Sequence, residues 1–227
     1  MNEESRPPRR NLLATTARAL HVRSVSRATA GDPPFLSLRR VTFCVEADPR
    51  IVNYDVVERT RSDAAVICAY FRVDGSIRVS LRTVLRPPLV FGRGEAAGDT
   101  VPCVPLWEVA AGLIDHDETP AEAAARELSE ELGFSVTASS LLPLGPPVFG
   151  AAGVLAERLF FFAADVTGLH RSAPEGDGGP LEDFGDFADI PLTEALEGCA
   201  DGSLQDLKTE LLLRRLDEKL RSLEPRS

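Results

Sequence analysis

The clearest apolar pattern along the chain lies between Ala64 and Leu85. Ala64–Val73 is rich in β-branched, aromatic and small apolar residues and reads as a strand. The Asp74-Gly75 pair supplies a tight turn, and Ile77–Leu85 follows as the hairpin partner. Arg86-Pro87-Pro88 ends that strand, because proline cannot donate to a ladder. Leu38–Glu46 and Ile51–Glu58 alternate only in part and predict two further strands. A glycine-rich loop, Gly92–Thr100, leads to a short apolar run at Val104–Val109, and a longer one occupies Leu159–Val166. Period switches to helical twice. Pro120–Leu132 predicts one helix, and Leu204–Leu223 a second, with Leu207, Leu211, Leu212, Leu216 and Leu220 on one stripe. Hairpin strands with well-separated helices predict an α/β fold, a sheet packed between helices.

The ends and one loop read differently. Residues 1–34 carry six arginines against Glu3 and Glu4 and close on Gly31-Asp32-Pro33-Pro34, which predicts a poorly ordered basic arm. A short helix is expected inside it, from Asn11 to Val22. The domain proper is expected over 35–227. Pro174–Gly185 is a loop of glycine, proline and acidic residues.

Composition narrows the class. Of 227 residues, 44% are hydrophobic and 26% charged, as in an ordinary globular protein. A net charge of −10 argues against a nucleic acid polymer as partner, yet admits a small phosphorylated substrate if cations invert the local field. Cys44, Cys68, Cys103 and Cys199 show no C-x-x-C spacing, so free thiols in a reducing cytoplasm are expected. No apolar run is long enough to span a membrane.

The chemistry concentrates between Gly112 and Phe134. Thr119 and Glu122 form a T-x-x-E capping box, and Pro120 stands where its missing N–H costs nothing. Alanines at 121 and 123–125 propagate the helix, and Gly133 closes it. On that helix Glu127, Glu130 and Glu131 share a face at i, i+3 and i+4. Three crowded carboxylates repel one another. A hard divalent cation, Mg²⁺ or Mn²⁺, relieves that repulsion. Alone, such a charge run is usually a solvated face. With Gly112, Glu118, Arg126 and Gly133 also at fixed spacing, a chance match has odds of order ~10⁻⁷ from average composition.

The pattern G-x5-E-x7-R-E-U-x-E-E-x-G-U, with U apolar, resembles the Nudix box over Gly112–Phe134. The resemblance implies a Nudix-type α/β/α sandwich with a mixed sheet, and hydrolysis of a nucleoside diphosphate linked to another moiety. It implies Glu127, Glu130 and Glu131 as metal ligands, with the backbone carbonyl of Ala111 or Gly112 as a further donor. Glu118 would support the loop. Trp107-Glu108 before Gly112-Leu113-Ile114-Asp115, and Arg86-Pro87-Pro88, are similar to segments of the ADP-ribose and nucleotide-sugar branch. On that basis Arg86, Trp107 and Glu108 are expected to contact substrate, and Glu182, ahead of Asp183 and Glu175, to act as general base. The branch also implies a homodimer, with residues 35–60 at the interface. Departures are present: Thr83 and Val84 stand for Arg and Gln, Ala110 for Pro, and Ala151-Ala152 for Ser-Pro. They bring a UDP- or GDP-sugar into competition with ADP-ribose. A dinucleoside polyphosphate and a non-catalytic nucleotide-sensing module are the remaining alternatives.

Overall fold

A computed structural model describes residues 15–21, 36–46, 48–92, 100–175 and 185–223. In chain order its strands begin with β1 (Arg18–His21), β2 (Ser37–Val45), β3 (Asp48–Glu58), β4 (Ala64–Val73) and β5 (Ser76–Val84). A one-turn helix α1 (Pro88–Phe91) precedes β6 (Thr100–Cys103), β7 (Leu106–Glu108) and β8 (Ala110–Leu113). Helix α2 (Pro120–Leu132) leads to the short β9 (Leu142–Pro143) and β10 (Val148–Phe149), then β11 (Arg158–Asp165) and β12 (Phe187–Pro191). Helices α3 (Leu192–Asp201) and α4 (Leu207–Leu223) complete the order.

Strand β4 is the axis of the main sheet. It pairs antiparallel with β5 through the Asp74-Gly75 turn, where both residues take positive φ, 49° and 78°. Its other edge runs parallel to β11, and its first half pairs antiparallel with β8. β5 continues outward to β12 and, at its end, to β7. The sheet is therefore mixed.

Both faces of β4 are covered, which explains its unbroken apolar run. Ala65, Ile67 and Ala69 face α2 and meet Ala123, Ala124, Leu128 and Leu132. Val66, Cys68 and Tyr70 face the opposite core, with Leu212, Leu213, Leu216 and Leu220 of α4. Burying each of these leucines contributes about 1.5–3 kcal/mol relative to exposure. The result is the expected α/β/α layering, with α2 and its carboxylates clamped against the sheet.

Local pattern misled in three places. Arg18–His21 is a strand paired antiparallel with β6, where a helix was expected; the pairing partner lies some eighty residues away and leaves no local periodicity. The remainder of the arm, apart from residues 15–17, falls outside the described residues. Val104–Val109 is divided: Pro105 follows β6, and the chain resumes as β7 and β8. Helix α3 was not foreseen, and α4 starts at Leu207, three residues later than expected.

Strands β2 and β3 form a separate two-stranded sheet. It touches the main body through the Val57 N–H, which donates to the Val154 carbonyl at 2.8 Å. Leu38, Phe43, Val45, Ile51 and Tyr54 are exposed on it.

Candidate active site

The start of α2 is fixed as its sequence dictates. The Thr119 N–H donates to the Glu122 carboxylate at 2.8 Å, and the Glu122 N–H donates back to the Thr119 hydroxyl at 3.3 Å. At the other end Gly133 adopts φ 73°, and a Cβ there would overlap the Ser172 carbonyl. Between these caps one face buries Leu128 and Leu132, while Glu127, Glu130 and Glu131 turn toward a cleft.

That cleft has a volume of about 800 Å³ and runs between β8, α2 and the start of α4. Arg126 organises its acidic wall. Its Nε and Nη2 donate to the two Glu118 oxygens, both at 3.0 Å, and Nη1 donates to Glu127 at 2.7 Å and Glu130 at 3.0 Å. Nη2 also reaches the Leu113 carbonyl at 3.0 Å, which ties the helix to β8. The Glu118 hydrogen bond, with help from Glu127 and Glu130, pushes the Arg126 guanidinium well above its ordinary range despite partial burial. Glu118 additionally accepts the Asp115 N–H at 3.3 Å, so it braces the loop before α2.

Glu131 sits deeper. One of its oxygens accepts the Ala111 N–H at 3.0 Å, and the other lies 2.7 Å from the Arg82 guanidinium. Arg82 was not foreseen as a site residue. Gly112 lies against Glu127 so closely that a Cβ at 112 would overlap the carboxylate.

A second charged group closes the cleft near α4. The Arg86 guanidinium donates a fork to Glu108, at 2.7 and 2.6 Å, and Lys208 also donates to Glu108. The Lys208 ammonium reaches Asp206 at 2.9 Å, and Asp206 caps α4 by accepting the Thr209 N–H at 3.0 Å. Glu108 is 1% exposed. Burial alone would raise its carboxyl, but the Arg86 fork and the Lys208 charge outweigh that and hold it below the usual range. Arg86 and Lys208 line the cleft, with Glu108 behind them. At the opposite end Arg59 pairs with Glu157 and Arg61 with Asp115.

Trp107 alternates with Glu108 and points the other way. It belongs to the core beside Leu81 and Val109 and borders a different cavity, with Leu89 and Val104, away from the acidic cleft. Glu182 and Asp183 fall outside the described residues, and Glu175 is exposed and does not line the cleft.

Do these groups fit a divalent cation? The missing Cβ at Gly112 lets the Glu127 carboxylate stand directly against the strand backbone, and the donors gathered there are all hard oxygens. Among the described residues no three acidic side chains already converge on one point; arginines hold them. The donor set nevertheless suits Mg²⁺ or Mn²⁺.

Comparison with known proteins decides the lineage. A model of the NUDIX domain matches residues 86–200. The chain belongs to the NUDIX family. It is 32% identical to the GDP-mannose pyrophosphatase of Pectobacterium atrosepticum over 155 residues, covering 68% of this chain and 72% of that protein. The GDP-mannose pyrophosphatase of Cronobacter sakazakii is 28% identical over 183 residues, 80% of this chain and 88% of its own. A crystal structure of an ADP compounds hydrolase shares the fold, with a TM-score of 0.62 over 92% of this chain and 95% of that one, at 19% identity.

The sequence-based expectation of a Nudix hydrolase with an α/β fold therefore holds. Within this Nudix domain the structure brings Glu127, Glu130, Glu131, Ala111, Gly112 and Arg86 to one cleft. Lys208, Asp206, Arg59, Arg61 and Glu157 join them, of which Asp206, Arg59 and Arg61 carried no distinguishing signal in the linear sequence. No helix among the described residues is long and apolar enough to cross a membrane.

Proposed function

We propose that this Nudix hydrolase splits the diphosphate bond of a nucleoside diphosphate sugar, with a GDP-sugar favoured over ADP-ribose. One observation carries the reading: a single cleft faces the Glu127, Glu130 and Glu131 carboxylates toward the Arg86 and Lys208 cations. A diphosphate is the ligand class that uses both, one part against a cation held by carboxylates and another against guanidinium and ammonium. The pyrophosphatase names of relatives about 30% identical support a GDP-linked sugar, and Ala151-Ala152 in place of Ser-Pro argues in the same direction.

Glu127, Glu130 and Glu131, with a carbonyl of Ala111 or Gly112, would hold Mg²⁺ or Mn²⁺. The bound cation would supply Lewis acidity toward the phosphoryl oxygens and toward water. Arg126 keeps Glu127 and Glu130 on the cleft side of α2, and Arg86, held by Glu108, offers its outer face to a phosphate. A carboxylate accepts the proton of the attacking water, with Glu182 the proposed base. One water is consumed, the P–O–P bridge breaks, and a nucleoside monophosphate and a sugar phosphate leave. An acidic chain with free cysteines supports a reducing cytoplasm as its location. The apolar surface of β2 and β3 supports a homodimer.

The deciding experiment is a panel of GDP-mannose, UDP-glucose, ADP-ribose and diadenosine polyphosphates with Mg²⁺ or Mn²⁺, products separated by chromatography. Turnover of GDP-mannose above the rest is expected, and Glu131→Gln should lower kcat by orders of magnitude. Stoichiometric binding without turnover would instead establish a nucleotide-sensing module.

A further inference from the structure

Arg82 stands apart from the groups that line the cleft. It lies on β5, where Val79 and Leu81 enter the core beneath α4 and the intervening Ser80 and Arg82 face the other way. Arg82 is 3% exposed and Glu131 6%, so the pair is sealed between strand and helix. The cleft wall is Glu131 itself; Arg82 is behind it. An aliphatic side chain would fill such a position without removing a guanidinium from water, a cost that pairing with a carboxylate repays only in part.

Two arginines hold the carboxylates of the site from different sides. Arg126, at the cleft surface, serves Glu118, Glu127 and Glu130, and Arg82, in the interior, serves Glu131 at 2.7 Å. With the Ala111 N–H on its second oxygen, Glu131 has both oxygens engaged. A cation approaching from the cleft meets a carboxylate already polarised from behind by a full positive charge a few ångströms away.

We propose that Arg82 is a positioning residue, an internal counter-ion that fixes Glu131 toward Ala111 and competes with the divalent cation for its charge. The inference rests on the cation-dependent reading given above. Its consequence is a raised cation requirement: the site fills poorly with metal alone, and the negative charge of an arriving diphosphate helps to fill it.

Calorimetry with MgCl₂ or MnCl₂ alone, on the full chain, tests this. Arg82→Met should bind the cation about tenfold or more tightly than wild type, because a positive charge a few ångströms behind the ligand no longer opposes it. Arg82→Lys, which keeps the charge, should stay near wild type. The Tm of Arg82→Met should fall in EDTA and recover in saturating Mg²⁺. A purely structural Arg82 would lower Tm equally in both and leave affinity unchanged. Should wild type bind cation and folded Arg82→Met bind it no more tightly, the inference is overturned while the cation reading stands. If wild type binds none, both fall. Should Arg82→Met not fold, the Arg82 Nε–H signal of wild type, identified by its loss in Arg82→Lys, must shift as Mg²⁺ is added. An unmoved signal overturns the proposal.

Discussion

Gly112 on β8 and Glu127 on α2 are in such close apposition that the glycine's missing side chain is the space the carboxylate occupies. The φ of Gly112 is not among the positive ones, so its backbone places no special demand; proximity alone requires glycine. Gly112→Ala should therefore fold, since one methyl forces Glu127 aside at a cost of roughly 1–3 kcal/mol of overpacking. It should lower kcat far more than it lowers stability, on the order of a hundredfold, because an ångström of misplacement in a reacting group costs that much. Steady-state kinetics beside a thermal melt checks this. Normal kcat with a depressed Tm would mean that Glu127 is free to move without consequence.

The same segment shows what linear sequence can carry. Cap, proline, alanine run, acidic face and terminating glycine are all local, so α2 was foreseen to its last residue. The groups that finish the site are not local. Lys208 meets Glu108 across 100 positions, and Arg82 meets Glu131 only because β5 and α2 share a face of the sheet. Nothing in the surroundings of Arg82 in the sequence distinguishes it from Arg78, four residues earlier and partly exposed. Trp107 illustrates the converse. Its neighbours resemble a substrate-binding segment, but strand alternation sends Glu108 toward the cleft side and the indole into the core. Helix α3 escaped notice because it follows directly on β12 at Pro191, with no capping side chain to announce it.

Arg86 should contribute to binding as well as to stability. Its side chain is 43% exposed, and it grips Glu108 through Nε and Nη2 alone, which leaves Nη1 to face the cleft. A charge-assisted bond to phosphate is worth about 1.5–3 kcal/mol, or roughly 10- to 100-fold. Arg86→Gln is thus expected to reduce kcat/KM for the nucleotide sugar by that factor, and to lower Tm as well, because buried Glu108 then keeps Lys208 but loses the guanidinium fork. Unchanged kcat/KM would remove Arg86 from the phosphate site.

Glu108 makes the stability of the chain sensitive to acid. Its folded carboxyl is held below the ordinary value, so its contribution is complete above the unfolded value, about 4.3, and is lost as pH falls through the folded one. Glu108→Gln leaves Arg86 and Lys208 facing a neutral amide. It should cost about 3 kcal/mol at pH 7, the lower end for a broken buried pair, because Arg86 is partly exposed. Urea unfolding from pH 7 down to pH 3 should show the gap between wild type and Glu108→Gln closing below about pH 4. A gap that persists undiminished at pH 3 would mean that shape, not charge, makes Glu108 matter.

Ile51 offers the sharpest test of self-association. It is 74% exposed on β3, and across the β2–β3 pair its face continues through Leu38 and the Arg40–Asp55 ion pair. A two-stranded sheet is marginal in water by itself, and this one is anchored to the body chiefly near Val57. Apolar side chains this exposed on an unshielded sheet gain most by meeting a second copy, and a symmetric pair would repeat the contact. Ile51→Asp places a charge where burial against a partner would strip its water, yet in the monomer the side chain lies mostly in solvent, so monomer stability should change by less than about 0.5 kcal/mol. Sedimentation velocity should show wild type as a dimer and Ile51→Asp shifted to monomer at micromolar concentration. If both sediment as the same species, β2 and β3 do not form the interface.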